Sequence, residues 1–154
     1  MPNCVDQHWA GANGDWIASV GLQWKWKLVN VYTRQEIWLP PITGFEDTNE
    51  PFVFYNHSDR PILLRKIAIC QVPTANEEYK DFCIIAIFDY SIAVLQGDDY
   101  GWTVLENQFQ CYFRYSDAIV HRGHVFVVTE RGVVYVWNPL NTGKYSYTCF
   151  IIQP

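Results

Sequence analysis

The sequence lacks the features of several large functional classes. Its longest uninterrupted apolar run, 82–88, falls far short of the roughly 20 residues that a membrane helix needs. Lys and Arg number 11 against 16 Asp and Glu, a formal net charge of −5 at pH 7, and a surface of that sign repels a phosphate backbone. Residues 1–6 show neither a basic leader nor an apolar stretch, so no secretory signal is expected. We therefore expect no nucleic-acid or membrane partner and a location in the cytoplasm or nucleus.

Motifs of catalysis and metal binding are also missing. The chain has no G-x-S-x-G elbow, no phosphate-binding Gly-Lys-Ser/Thr loop, no H-E-x-x-H and no dinucleotide fingerprint. It has no C-x-x-C pair, so a structural zinc site is not expected. The odd number of cysteines at wide spacings indicates reduced, buried thiols rather than disulfides; they are Cys4, Cys70, Cys83, Cys111 and Cys149. The sequence thus predicts a protein that is not an enzyme, with no catalytic residues, no cofactor and no metal.

Three short segments carry residues that could bind a metal or a ligand or act as paired carboxylates. His121 and His124 flank Arg122-Gly123 and could offer two imidazoles to a metal, but a hairpin turn explains the pattern better. Asp98-Asp99 could act as paired carboxylates or bind calcium, yet Gly97 and Gly101 bracket them as in an exposed turn. Trp24-Lys25-Trp26-Lys27 could stack a sugar or a base, although alternation of this kind is more typical of a strand with one buried face.

The residues that are present favour strands. Aromatic residues make up 17% of the chain, and the apolar segments are short and rich in β-branched residues, with turn signals between them. Trp16, Trp38, Trp102 and Trp137 lie in such segments and are expected to fill the space between sheets. Eleven strands are predicted, connected mostly as antiparallel hairpins: 15–20, 27–32, 36–39, 64–70, 83–88, 92–96, 103–105, 118–121, 125–129, 133–138 and 147–152.

An internal repeat indicates how these strands are organised. Residues 84–94 align with residues 125–135 at a constant offset of 41. Four-stranded propeller blades repeat at roughly 40–45 residues, so the chain length predicts about three to four blades. We expect one all-β domain over residues 1–154, a partial β-propeller of four-stranded antiparallel blades. Proline and acidic residues predict a long acidic loop over residues 40–63.

The segments that carry the repeat resemble a known family. The matching segments occur in the same order as in that family. They are an opening pair of strands that ends in Leu-Pro-Pro, an apolar strand, a segment with Gly-Asp and Trp-Thr, and two late hairpins: 15–20, 26–41, 64–69, 97–105, 115–128 and 132–137. This pattern resembles the plant KIB-type β-propeller, a domain of unknown function that usually follows an F-box. The resemblance extends over nearly the whole chain.

The resemblance implies a protein-interaction module, the target-recognition propeller of an SCF-type ubiquitin ligase. No F-box segment precedes Asp15, so this chain alone is not expected to bind a Skp-type adaptor. The "NPfTG" turn of the family is altered at 30–34 but kept at 138–143. Two alternatives remain: a module that binds a small molecule or glycan, and a truncated relative with no retained role. Propeller loops normally carry the binding residues, so strand patterns do not identify them.

Overall fold

The computed structural model describes residues 7–56, 60–74, 81–106 and 113–138, together with the backbone of Thr148–Ile152. Within these residues the chain forms strands, turns and loops but no helix. A helix capable of crossing a membrane is accordingly absent from this part of the chain. The prediction of an all-β protein is confirmed.

The described strands pair in antiparallel ladders and form three sheets. In chain order the strands are β1 Gln7–Asn13, β2 Trp16–Gly21, β3 Lys27–Asn30, β4 Glu36–Trp38, β5 Glu46–Asp47, β6 Val53–Tyr55, β7 Pro61–Gln71, β8 Cys83–Phe88, β9 Ser91–Gln96, β10 Thr103–Glu106, β11 Tyr115–His121, β12 His124–Thr129, β13 Val134–Trp137 and β14 Thr148–Ile152.

Each sheet contains one four-stranded meander. We call β1 to β4 blade 1, β7 to β10 blade 2 and β11 to β14 blade 3. The two short strands β5 and β6 extend the blade 2 sheet beyond β7. Successive antiparallel meanders of four strands are the architecture of propeller blades. The prediction of a partial propeller is therefore confirmed, with three blades in the described part of the chain.

The middle blade is covered on both faces. Every residue of β8 is buried, and side chains of a strand alternate between its two faces. Ile84 and Phe88 belong to the apolar cluster between blades 1 and 2, while Ile85 and Ile87 belong to the cluster between blades 2 and 3. The uninterrupted apolar run of β8 is thus explained by a sheet packed against each of its faces.

The offset of 41 residues relates β8 to β12. Ile84 and Val125, which it aligns, both face the preceding blade. Ile85 faces blade 3, and its counterpart Phe126 lies half-buried on the opposite face of β12 from Val125. The repeat seen in the sequence therefore marks equivalent strands of successive blades.

Between β9 and β13, the next pair of equivalent strands, the sequence offset is larger by one residue. The β12–β13 hairpin is longer than the β8–β9 hairpin by one position, and its turn contains Gly132 at φ 80°. A three-residue hairpin loop commonly needs a glycine in this left-handed region. The equivalent of Ala93 is consequently Tyr135, rather than the Val134 that the constant offset pairs with it.

The innermost strands β1, β7 and β11 lie side by side and connect the blades. A Cβ atom at Gly11 would lie 1.7 Å from the carbonyl oxygen of Ile67, so only glycine allows β1 to approach β7 this closely. Nearby, Asn13 Nδ2 donates a hydrogen bond to Ile69 O at 2.7 Å. Between β7 and β11, Lys66 Nζ lies 3.2 Å from Asp117 Oδ1. These contacts fix the order of the three blades.

Asp89, in the β8–β9 turn, joins two inner strands from a buried position. Its Oδ1 accepts hydrogen bonds from the Arg65 guanidinium, at 2.7 Å from Nε and 2.6 Å from Nη2. Its Oδ2 accepts the Leu63 N–H at 3.1 Å, and its main-chain carbonyl accepts the Tyr115 N–H at 2.7 Å. One turn residue therefore holds β7 and β11 together.

The segment 40–63, for which the sequence predicts a long acidic loop, contains the short strands β5 and β6 and the first residues of β7. Ile42, Phe45 and Phe54 are buried in the cluster between blades 1 and 2. Glu46 remains exposed, and Asp47 Oδ2 accepts the Gln23 N–H. Apolar residues placed between the prolines thus anchor this segment in the core, while Glu46 and Glu50 stay at the surface.

Cys70 and Cys83 are buried, reduced thiols, in agreement with the sequence analysis. A hydrogen bond with Cys83, reinforced by burial, raises the pKa of Cys70 well above its ordinary value. The Cys70 thiol is therefore protonated near neutral pH and a poor nucleophile. Cys4, Cys111 and the side chain of Cys149 lie outside the described residues.

Gly11→Ala tests the approach of blade 1 to blade 2. The new methyl group would overlap the Ile67 carbonyl, so β1 must move, and we expect the free energy of unfolding to fall by about 1–3 kcal/mol. Gly101→Ala is the matched control, because nothing lies within 4 Å of its added Cβ atom. Urea unfolding of both variants measures the difference. Equal stabilities would contradict the close approach.

Asp89→Asn tests the junction of blades 2 and 3. The substitution keeps the side-chain shape but removes the charge that the Arg65 guanidinium contacts, and we expect a loss of about 1.5–3 kcal/mol. Glu36→Gln serves as control, because it alters the more exposed Lys27–Glu36 ion pair, which should cost under about 1 kcal/mol. Thermal and urea unfolding report both values. A loss for Asp89→Asn no larger than the control would refute the assigned role.

Candidate functional site

A groove lies where the outer edge of blade 1 meets the β9–β10 turn of blade 2. Its volume is about 560 Å³, and its apolar lining comes from the end of β4, the start of β8 and the end of β9: Ile37, Leu39, Phe82 and Leu95. Three of these side chains belong to the core cluster between blades 1 and 2, and half-buried Ile37 packs against it. The floor of the groove is thus a continuation of the packed core between two blades.

The two walls of the groove are held together by Trp102, just before β10. Its Nε1 donates a hydrogen bond to Pro40 O at 2.7 Å, which ties blade 2 to the segment that follows β4. Its ring meets the ring of buried Trp26 edge-on, with centroids 6.0 Å apart and an interplanar angle of 86°. Because both contacts bridge the blades, the groove is formed before any ligand arrives.

Two exposed aromatic residues are part of the lining of the groove. Trp38, the last residue of β4, is 59% exposed, and Lys27 Nζ lies 5.2 Å from its ring centroid, a cation–π arrangement. The same ammonium pairs with Glu36 Oε1 at 2.9 Å. Tyr100, in the β9–β10 turn, is fully exposed. Large aromatic side chains held at a surface in this way are typical of recognition sites.

One end of the groove carries a carboxylate. Asp99 lines it, and Asp99 Oδ2 accepts the Gln96 N–H at 3.1 Å, which fixes the turn. Asp98 beside it is exposed. Among the described residues that line the groove, Asp99 is the only charged one. The groove therefore combines an apolar floor with negative charge at one end.

The outer edge of β4 offers main-chain hydrogen-bonding groups. Leu39 N–H donates to Trp26 O, and Ile37 is paired with Leu28, so in the antiparallel alternation Ile37 and Leu39 bond toward β3. The N–H and C=O groups of Glu36 and Trp38 consequently point the other way. No strand in the described part of the chain pairs with that edge. An extended segment could add to it.

The segment Trp24-Lys25-Trp26-Lys27 belongs mostly to the core. Trp26 is fully buried, and Trp24 stacks on Phe54 with centroids 4.9 Å apart. Lys25 is exposed. Trp26 is thus unavailable to stack a sugar or a base, and half-buried Trp24 is packed against the core. Residues 24–26 lie before β3, with Trp24 in a turn at φ 58°, so the expectation of a strand over this segment is wrong, although its tryptophans serve the core.

The histidine-containing hairpin joins β11 to β12. His121 and His124 lie opposite each other in the ladder, and Arg122 and Gly123 form its turn with φ values of 50° and 76°. His124 Nδ1 lies 3.1 Å from Arg122 O. The residues described by the structure contain no cluster of three or more side chains suited to hold a metal. The hairpin is a tight turn, as the sequence analysis favoured.

The tryptophans predicted to fill the space between sheets differ in burial. Trp16 and Trp137 are buried, and Trp102 packs at the margin of the core. Trp38 does not follow the prediction, because it lies on the outermost strand of blade 1 with its ring in solvent. Alternation with the inward-facing Ile37 is the signal in the sequence that could have placed it outside.

Comparison with known proteins agrees with this architecture. The model of the KIB1-4 beta-propeller family matches residues 1–149, which include blades 1 and 2, the groove and most of blade 3. No curated protein and no solved structure matches the chain. The resemblance seen in the sequence motifs is thus confirmed by a match over nearly the full length. The chain belongs to the KIB1-4 β-propeller family.

Proposed function

We propose that the chain is a non-enzymatic protein-interaction module of the cytoplasm or nucleus. The observation that carries this proposal is the preformed groove between blades 1 and 2, where exposed aromatic residues and a strand edge that no described strand pairs border an apolar floor. Sites of this kind recognise partners through packing and hydrogen bonds. Membership of a propeller family supports the same conclusion, because propellers usually present binding surfaces on a rigid sheet scaffold.

We further propose that the partner is a protein destined for ubiquitination. The family resemblance supports this role, since KIB-type propellers usually follow an F-box and would hold the target of an SCF-type ligase. In this proposal the chain supplies target recognition, and an F-box supplied by a longer form or by a second protein recruits the Skp-type adaptor. The chain alone would not bind the adaptor.

A glycan-binding function has weaker support. The aromatic pair that suggested it, Trp24 and Trp26, lies in the cluster between blades 1 and 2. Trp38 and Tyr100 are exposed, but among the described residues of the lining only Gln96 and Asp99 supply an amide or a carboxylate. A glycan site would need more polar groups to bind the sugar hydroxyls. We therefore favour a protein partner.

Affinity purification from cells of the source organism tests the interaction function. We expect the tagged chain to retain at least one protein that excess untagged chain displaces, and that binds the purified chain directly in calorimetry. Direct binding at micromolar or lower Kd is typical of a specific interface. If no retained protein is displaced by untagged chain, the proposed interaction function is wrong.

Fusion of an F-box ahead of the chain tests the role in ubiquitination. We expect the fusion, with a reconstituted SCF ligase, to ubiquitinate the retained protein several-fold faster than an F-box alone. The unfused chain is the control, and it should add no ubiquitination and should not co-purify with the adaptor. A fusion no more active than the F-box alone would refute target recognition while leaving direct binding intact.

A further inference from the structure

We infer that two copies of this chain assemble head to tail into one closed ring of blades, in which the end face of blade 3 packs on the end face of blade 1 of the other copy. The end face of blade 1 or blade 3 is the side of its sheet that is turned away from blade 2. These surfaces are separate from the groove, and the inference does not depend on the proposed function.

The end face of blade 3 is apolar. In β12 and β13, Val127 and Tyr135 belong to the cluster between blades 2 and 3, so the residues next to them point to the other side of the sheet. Strand pairing aligns these residues in rows with one residue of β11, and none of them belongs to either apolar cluster. One is 56% exposed and the others are half-buried; they are Ile119, Phe126, Val128, Val134 and Val136.

The internal repeat indicates what kind of surface fits this end face. Offsets of 41 residues in β12 and 42 residues in β13 relate it to the side of blade 2 that blade 3 covers. Phe126, Val128, Val134 and Val136 correspond in that order to Ile85, Ile87, Ile92 and Val94, which all lie in the cluster between blades 2 and 3. The end face of blade 3 is therefore built like a surface on which a further blade packs.

Blade 1 offers the complementary side of a blade. Blades 2 and 3 each pack on the blade before them through one side of the sheet, and in the described part of the chain no sheet covers that side of blade 1. Half-buried Ile17 and Val29 pair across β2 and β3 there. Trp9 and Trp38, which are 76% and 59% exposed, lie in the same row as Ser19 and Lys27.

The charged groups of the two end faces are already paired within the chain. Lys27 Nζ lies 2.9 Å from Glu36 Oε1 and over the Trp38 ring, while Asp117, in the row of Val128, contacts Lys66. Contact between the faces would therefore bury no isolated charge, which is the costly case. Exposed tryptophans facing aliphatic side chains are typical of the centre of a protein interface.

The size of the contact favours a closed pair. Strands about 4.8 Å apart and about five residues long give a four-stranded face of about 300 Å². One contact between two such faces buries about 600 Å², below the roughly 1,200 Å² at which specific interfaces begin. Two copies joined head to tail make two contacts at once. Three blades from each copy give a ring that lies within the roughly 4–8 blades of closed propellers.

Sedimentation velocity of the purified full chain tests the assembly. We expect one species with twice the 18.0 kDa mass of the chain at micromolar concentration. Ile119→Glu and Trp9→Glu each place a carboxylate in both contacts of the ring, because every contact contains one face of each kind. Each should raise the dimer Kd at least about tenfold.

Tyr32→Glu is the matched control, because Tyr32 is 78% exposed in the β3–β4 turn, outside the rows of both end faces. It should change the dimer Kd less than about twofold. Circular dichroism and melting curves establish that each variant folds like the parent chain. If a glutamate variant unfolds, Ile119→Ala and Trp9→Ala remove contact area without adding charge and should raise the Kd at least about threefold.

Mixing the Ile119→Glu and Trp9→Glu chains tests the head-to-tail order. A mixed pair has one contact with a glutamate on both faces and one contact with none. We therefore expect mixed dimers at concentrations at which neither variant alone associates, detected with a fluorescent label on one of them. Pairing of like faces would instead leave one of the two variants dimeric by itself.

A parent chain that sediments as a monomer throughout the micromolar range, or as an open series of sizes, would overturn the inference. Dimers that form equally well with Ile119→Glu or with Trp9→Glu would also overturn it, as would a mixture no more associated than its components. A monomeric chain that still retains a displaceable protein partner would refute the ring and leave the interaction function intact.

Discussion

Burial of β8 on both faces is the constraint on which the rest of the structure depends. Cys83–Phe88 contains six apolar residues in succession, all buried, and neither face of such a strand can be left to water without losing about 25 cal/mol for each Å² of apolar surface. Blade 1 must therefore cover Ile84 and Phe88, and blade 3 must cover Ile85 and Ile87. The stack of three sheets follows from this one strand.

The same stacking accounts for the position of the groove. The inner strands approach closely at Gly11 and Ile67, whereas toward the periphery the sheets of blades 1 and 2 separate and leave a space beside β4. Trp102 bridges this space through its bond to Pro40 O. The Trp38 ring and the outer main-chain edge of β4 do not contribute to the core, and they lie together on one rigid surface.

The fold was largely predictable because its strongest signals are local. Alternating and continuous apolar runs identify β2, β8, β9 and β12, and the repeat of 41 residues identifies blades. β1 was missed, since Gln7–Asn13 is rich in small and polar residues and owes its strand structure to β2 and β7. The groove was not predictable either, because Trp38, Phe82 and Asp99 meet only when separate blades pack together.

Zero-length carbodiimide cross-linking of the purified chain tests the stacked-blade arrangement most directly. The reagent joins an ammonium to a carboxylate only when they are in contact, and Lys66 Nζ lies 3.2 Å from Asp117 across blades 2 and 3. The account predicts a Lys66–Asp117 linked peptide in the mass spectrum, in the same sample as the Lys27–Glu36 link within blade 1. Appearance of the Lys27–Glu36 link without the Lys66–Asp117 link would contradict the arrangement.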